Sequence, residues 1–182
     1  MTGFILFAAL LFQMVQMVQT VQAGADVFPA TPPGPGTWLL QNGAWLTMVS
    51  APVAGTNAKS INNYIYTGGY TNLDMDVSFA GSKAVLRVSG REPVFMARPN
   101  DDGFEPVLVR LEKKKDRRVC RARPSSASAD NKHGFRKQNI VRTVLTINAD
   151  KSFIVRPERP LKPGEYLLVT GSPSFGRDFG VD

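Results

Sequence analysis

The sequence predicts an all-β protein, a single antiparallel β-sandwich or open barrel preceded by an N-terminal signal helix. Two observations favour this fold class. Short runs rich in Val, Ile, Thr and Phe alternate apolar and polar residues with a period of two, which is typical of half-buried strands. Sixteen glycines and thirteen prolines separate those runs, and a helical period occurs only in the N-terminal segment. A length of 182 residues fits one domain.

The N-terminal segment is a predicted signal peptide. Phe4–Phe12 is an unbroken apolar run that is too short to span a bilayer by itself. Ala23 and Ala25 fit the small-x-small pattern that precedes cleavage, which places the cut before Asp26 or, alternatively, after Ala23. We therefore expect residues 1–25 to be removed. We also expect no integral membrane span after cleavage, and a secreted or periplasmic protein.

Two alternatives remain open for this segment. No Lys or Arg precedes the apolar run, and glutamine recurs at every third position, at Gln13, Gln16, Gln19 and Gln22. An uncleaved anchor over residues 4–21 would bury those amides in hydrocarbon at a cost in free energy, so cleavage is favoured over anchoring. A soluble helix is the other alternative.

Beyond the leader, the sequence predicts a Pro/Gly-rich arm over residues 26–36 and an antiparallel β domain over residues 37–182. Asn42-Gly43 separates two apolar runs and predicts a hairpin with a type I′ turn, because that turn needs positive φ at both central residues. Trp38 and Trp45 flank the turn.

Further strands are predicted at short spacing. Residues 51–73 are a predicted loop with one short strand near Tyr64–Tyr66, residues 124–138 a polar loop, and residues 158–164 a connector. The C-terminal strands are expected to pair as a meander, with the last one docked into the sheet. The predicted strands cover residues 75–80, 83–88, 93–97, 105–112, 117–122, 139–148, 152–157, 164–171 and 178–181.

The single cysteine and single histidine limit the chemistry. One Cys makes no internal disulfide, and one Cys with one His does not supply the three or four ligands of a zinc site. We predict no metal and no cofactor. Cys120 lies among cations that would activate a thiolate, but it also fits a small apolar side chain in a strand, and the second interpretation is favoured.

Positive charge is concentrated in the middle of the chain. The formal net charge is +7. Residues 110–142 hold twelve basic and three acidic residues, or +9, so the rest is near −2. The sequence predicts a hairpin whose cations form a basic patch for an anionic envelope polymer or an acidic protein surface. The alternative is a solvated hairpin that blunts a sheet edge. The predicted patch comprises Lys113, Lys114, Lys115, Arg117, Arg118, Arg121 and Arg123.

Catalytic and ligand-binding patterns are weak. Phosphate-binding glycine loops and a GxSxG elbow are absent from the sequence. His133 lies in a polar loop with Ser125, Ser126, Ser128 and Asp130, a poor frame for a catalytic triad. Asp74 and Asp76 are a weak carboxylate pair on one strand, and residues 100–105 read as a turn, without the spacing of a calcium loop. Tyr64, Tyr66 and Tyr70 form either a recognition surface or a lid on the core.

The C-terminal half resembles a family of uncharacterised secreted bacterial β-domains. The segments that carry the resemblance are GSKAVLRV and REPVFMA (residues 81–97), FEPVLVRLEKKKDRR (104–118), RPLKPGEYLLV (159–169) and the terminal DFGVD (178–182). The match covers roughly residues 81–182. The resemblance implies export and an all-β fold, and it implies no activity and no catalytic residue.

These observations together predict an exported, non-catalytic β module that binds or supports a macromolecular partner in the cell envelope or outside the cell. The alternative is a hydrolase with an unrecognised carboxylate site. Nucleic acid is not an expected partner, because the basic segment lacks interleaved aromatic residues. The sequence leaves the oligomeric state open.

Overall fold

The computed structural model of the chain describes residues 28–59, 74–98, 105–122, 134–171 and 176–182. The chain divides into two compact units, Met1–Thr31 and Pro32–Asp182. Of the first unit only residues 28–31 are described, and they have no regular secondary structure. The predicted signal peptide lies outside the described residues. In the described residues 56% form strands and 3% are helical, which confirms the all-β prediction.

The described residues of the second unit include fourteen strands and one short 3₁₀ turn, Lys137–Asn139. The strands are β1 Gly36–Gln41, β2 Ala44–Thr47, β3 Val53–Lys59, β4 Asp74–Ala80, β5 Arg87–Val88, β6 Val94–Arg98, β7 Val107–Arg110, β8 Glu112–Lys114, β9 Arg117–Ala122, β10 Ile140–Val141, β11 Thr143–Ile147, β12 Phe153–Pro157, β13 Gly164–Val169 and β14 Arg177–Val181.

These strands form three sheets. The front sheet has the order β11-β12-β6-β1-β2, the middle sheet β10-β7-β13-β14-β5, and the back sheet β3-β4-β9-β8. Neighbouring strands are antiparallel except β14 and β5, which are parallel. Within the described residues none of the three sheets closes into a barrel.

The middle sheet is buried on both faces. Along β13, Tyr166 and Leu168 enter a core that also contains front-sheet residues, whereas Leu167 and Val169 enter a second core that also contains back-sheet residues. Successive side chains of a strand point to opposite faces, so a continuous apolar run is typical of a strand covered on both sides. The described strands of this all-β protein thus form three sheets around two apolar cores, which is consistent with a sandwich-like arrangement.

The hairpin predicted at Asn42-Gly43 is confirmed. Gln41 pairs with Ala44 across the two-residue turn, and φ is 53° at Asn42 and 75° at Gly43. Positive φ at both central residues is the signature of the type I′ turn, which matches the twist of the flanking strands.

Two predicted strands change sheets partway along. Residues 105–112 were expected to form one strand, but the chain leaves the middle sheet after Arg110 and enters the back sheet at Glu112. Residues 139–148 break in the same way at Arg142, between the middle and front sheets. Neither break has a glycine, a proline or a turn dipeptide beside it, which is why the sequence pattern does not reveal them.

The remaining comparisons between predicted and observed structure concern individual strands. The predicted loop over residues 51–73 contains β3, whose Ala, Gly and Asn residues have low strand propensity but which pairs with β4 from Val53 to Lys59. The short strand expected near Tyr64–Tyr66 lies outside the described residues. Residues 83–88 form a strand only at Arg87–Val88. The last strand is docked in the middle sheet between β13 and β5, as predicted.

Candidate anion-binding groove

The cations of the β8–β9 hairpin do not share one face. Arg118 is 2% exposed and points into the core between the back and middle sheets. It forms an ion pair with Asp178, and it donates to the carbonyl oxygens of Ala80 (2.7 Å) and Gly81 (3.1 Å). Burial lowers the pKa of Arg118, and the Asp178 carboxylate compensates its charge. Arg118 therefore belongs to the interior and not to a surface patch.

Acidic residues pair with several of the remaining hairpin cations. Asp76 lies 3.8 Å from Lys114 Nζ and 3.6 Å from Arg121 Nε. Arg121 Nη2 also lies 3.0 Å from Glu112, and Arg117 Nε lies 3.4 Å from Asp116. These pairs reduce the net charge that the hairpin presents to a ligand.

The other members of the predicted patch have different placements. Lys113 and Lys115 are exposed, while Arg123 lies outside the described residues. Of the six described members, Arg118 is buried while Lys113 and Lys115 are exposed, and binding through this hairpin stays a prediction.

Cys120 is an interior residue. Its exposure is 0%, and burial, followed by the nearby charges of Asp76 and Glu112, raises its pKa to about 12. A thiol with that pKa is protonated at neutral pH and is a poor nucleophile. The small apolar interpretation of Cys120 is confirmed, and the activated-thiolate interpretation is wrong.

Several sequence candidates have no structural account. His133 and the serines near it, Tyr64, Tyr66, Tyr70 and residues 100–104 lie outside the described residues, as does the side chain of Asp74. Where the structure is described, no three His, Cys, Asp or Glu side chains come together as a metal site. No helix in those same ranges has the length and apolarity needed to cross a membrane.

A groove lies where the chain crosses twice between the front and middle sheets. Arg142 alone connects β10 to β11, and residues 158–163 connect β12 to β13. The two crossings are joined by a hydrogen bond of 3.0 Å in which Glu158 N–H donates to the Arg142 carbonyl. Leu161 N–H donates to the carbonyl of Arg91 at 2.7 Å and anchors the second crossing. These hydrogen bonds hold in place the backbone of the two crossings that border the groove.

The groove has an apolar floor and a positively charged rim. Its volume is about 500 Å³. Ile140, Val141, Pro160, Leu161 and Tyr166 supply apolar surface, and the last two belong to the core under the front sheet. Among the described residues of the lining, four cations and one carboxylate give a formal charge of +3. The polar lining comprises Arg110, Arg142, Arg159, Lys162, Glu158, Gln138 and Asn139.

Arg110 is held in place by its neighbours. It lies directly opposite Tyr166 in the β7–β13 pair, and its Nη2 donates to the Pro163 carbonyl at 3.1 Å. A Cβ at Gly164 would lie 3.3 Å from both Nε and Nη2 of Arg110, so the absent side chain lets the guanidinium approach the strand. A guanidinium has five N–H donors. One hydrogen bond positions Arg110 and leaves donors for a ligand.

Tyr166 closes the floor of the groove. It is buried, its hydroxyl donates to the Lys162 carbonyl at 2.6 Å, and burial raises its pKa. The phenol therefore stays neutral and holds the Lys162 segment against the core. Among the described residues of the lining, Glu158 is the one carboxylate. A site with four cations and a single acid is suited to binding an anion by charge-assisted hydrogen bonds.

A second concavity, of about 390 Å³, lies on the outer face of the back sheet. Small residues of β3 and β4 line it, together with Asp116 and Arg117. These two side chains form an ion pair of 3.4 Å, so the charges of the described lining residues balance.

The sequence predicted none of the four groove cations as a site residue, and Arg110 and Arg142 served only as the bounds of the basic segment. The cations of the groove are separated by up to 52 residues, from Arg110 to Lys162, and only the two sheet crossings bring them together. Comparisons with protein-family models, with curated proteins and with solved structures gave no match.

Proposed function

We propose that this chain is an exported, non-catalytic β module that binds an anionic polymer of the cell envelope or of the extracellular space through the groove at the front-to-middle crossings. The observation that carries the proposal is the excess of cations around a preformed groove, Arg110, Arg142, Arg159 and Lys162 against Glu158. The leader-like pattern of the first 25 residues and the resemblance to secreted β-domains support the export part.

A polymer suits this groove better than a small anion. The cations line a concavity of about 500 Å³, which exceeds what a single sulfate or carboxylate fills. The apolar floor, which includes Leu161 and Tyr166, offers surface for the ring faces of a sugar while the rim cations contact its charged substituents. Arginine is suited to this task because its planar fork binds carboxylate or phosphate by two parallel hydrogen bonds.

The proposal predicts that groove cations govern polyanion affinity. We expect the double variant Arg110→Gln/Arg142→Gln to bind dextran sulfate and polygalacturonate at least about tenfold more weakly, because each charge-assisted hydrogen bond contributes about 1.5–3 kcal/mol. Binding is measured by isothermal titration calorimetry at low and at near-physiological salt, since screening weakens the interaction of exposed charges.

The matched control is Lys113→Gln/Lys115→Gln, which removes the same charge from the β8–β9 hairpin. We expect this control to keep most of the affinity. If the hairpin variant loses binding and the groove variant does not, the groove proposal is contradicted and the sequence-based patch is supported. Thermal unfolding of each variant establishes that both remain folded.

A further inference from the structure

Strand β11 (Thr143–Ile147) is an edge strand of the front sheet as far as the structure describes the chain. In the described part of the chain it has β12 on one side and no strand on the other. Its sequence, TVLTI, has no charge, and four of its five residues are β-branched. Its pairing with β12 is regular from Thr143 opposite Pro157 to Ile147 opposite Phe153. Proteins usually blunt free edges with charge, proline or a bulge, and β11 has none of these.

The hydrogen bonds of the hairpin show which backbone groups face outward. Asn148 N–H donates to the Ser152 carbonyl (2.9 Å), and Glu158 N–H donates to the Arg142 carbonyl (3.0 Å). Antiparallel ladders alternate between bonded and non-bonded pairs, so the even-numbered residues of β11 are bonded to β12. The N–H and C=O groups of Thr143, Leu145 and Ile147 consequently point away from the sheet.

The other edges are less suited to pairing. Among the described residues, β5 and β10 have two residues each and β2 has four. Strand β8 carries Lys113 and Lys114, and β3 has an irregular register between Val53 and Gly55. Charge and bulges both disfavour addition of a further strand.

The side chains of β11 are accessible on both faces of the sheet. Ile147 is 65% exposed and Val144 is 52% exposed, and side chains one or three positions apart on a strand point to opposite faces. A strand added at this edge would therefore cover apolar surface on both faces as well as three sets of backbone groups.

We propose that β11 pairs with β11 of a second copy of this chain, antiparallel and across a two-fold axis, with Leu145 opposite Leu145. In this register Thr143 lies opposite Ile147 of the second copy, so the outward-facing residues of one strand meet those of the other. The two front sheets of five strands each then form one continuous sheet of ten. An isologous contact of this kind uses the same surface on both partners.

The lack of charge within the strand also favours self-pairing. Thr143–Ile147 has no ionisable side chain, so pairing of β11 with itself brings no like charges face to face. In the turn that follows, Asp150 forms an ion pair with Arg98 and precedes Lys151, so that turn carries charges of both signs. The contact is small, below about 1,200 Å² of total buried area, so the dimer is expected to be weak and dependent on concentration.

The test uses Ile147→Pro, with Ile147→Thr as the matched control. Proline at this position removes an N–H that points to solvent, which an edge strand tolerates, and threonine keeps that N–H while it shortens the same exposed side chain. Sedimentation equilibrium over a range of concentrations should show dimerisation of the wild type and of Ile147→Thr. Self-association of Ile147→Pro should be weakened about tenfold or more, because both copies lose a donor.

Three results would overturn the proposal: a wild type that stays monomeric at the highest concentration, both variants dimerising as the wild type does, or both variants losing dimerisation equally.

Should Ile147→Pro fail to fold, cysteine cross-linking tests the proposal instead. Leu145→Cys should oxidise to a covalent dimer faster than Ile147→Cys, because only residue 145 faces itself across the axis, within the Cα spacing that a disulfide accepts. Buried Cys120 gives a low background, and equal cross-linking at both positions would contradict the register.

Discussion

Arg118 shows how one charged residue is accommodated in an apolar interior. Its guanidinium is 2% exposed, and its partner Asp178 has a side chain that is 11% exposed. The pair joins strand β9 of the back sheet to strand β14 of the middle sheet. A buried charge is tolerated only when it is paired and hydrogen-bonded, and the carbonyl groups of Ala80 and Gly81 accept the other donors of this guanidinium.

Removing the charge of Asp178 should therefore be costly. We expect Asp178→Asn to lower the free energy of unfolding by about 3 kcal/mol or more, because the charge of Arg118 is left uncompensated in the interior. Urea unfolding monitored by circular dichroism measures the change.

Asp116→Asn is the control, because that carboxylate is 80% exposed in its pair with Arg117. We expect an effect of about 0.5 kcal/mol or less for such a surface pair. Equal effects at the two positions would show that the interior ion pair has no special role in stability.

At the scale of the strands, local turn chemistry was predictable and sheet membership was not. Asn42-Gly43 specifies its hairpin because few dipeptides favour positive φ at both positions. At Leu111 and Arg142 the chain passes from one sheet to another. Which sheet the next strand joins depends on the strands available for pairing, and neither residue carries a turn signal. Strand β3 was missed because its pairing with β4, and not its own composition, makes it a strand.

A close approach in the middle sheet gives a prediction at the same scale. Gly180 in β14 lies opposite Glu165 of β13 and Arg87 of β5. A Cβ at position 180 would overlap the guanidinium of Arg87, which donates to Glu165 (2.7 Å) and Asp182 (2.5 Å). We expect Gly180→Ala to displace Arg87 and to lower the free energy of unfolding by about 1–3 kcal/mol, as overpacking does.

Gly171→Ala is the matched control for this substitution, because a Cβ at position 171 meets no atom within 4 Å. We expect a change of about 0.5 kcal/mol or less there. The stability of each variant is measured by urea unfolding, and an unperturbed Gly180→Ala variant would mean that Arg87 relocates without loss.

At the scale of the whole second unit, the shared middle sheet couples the two cores. The core under the front sheet and the core over the back sheet both contain side chains of β7 and β13. Loss of either outer sheet would expose one full face of the middle sheet to water, at a cost of about 25 cal/mol per Å² of apolar surface. We infer that the three sheets unfold together.

Two native probes test this cooperativity without substitution. The two tryptophans, Trp38 and Trp45, both lie in the front sheet, whereas the single cysteine, Cys120, lies in the back sheet. We expect urea transitions followed by tryptophan fluorescence and by thiol labelling at equilibrium to share one midpoint. Labelling of Cys120 at urea concentrations well below the fluorescence midpoint would show that the back sheet separates first.

The composition of the candidate site was less predictable than the fold class. Alternation with a period of two predicts a strand from local sequence alone. The groove, in contrast, is formed by residues that are far apart in the sequence. Arg110 and Lys162 line the same groove because β7 is adjacent to β13, which Lys162 precedes, and no spacing in the sequence encodes that adjacency. The run of cations at residues 113–118 was the most conspicuous sign of a binding site in the sequence. In the structure Lys114 pairs with Asp76, and Arg118 is buried and paired with Asp178.

The single-residue crossing at Arg142 has a consequence for ligand binding. Its backbone ties two layers of the molecule to each other, while its side chain contributes to the wall of the groove. A ligand that binds Arg142 together with Arg110 and Arg159 would therefore link the front sheet to the middle sheet. A ligand that binds only the folded protein stabilises it. We therefore expect the melting temperature of the protein to rise with the ligand concentration.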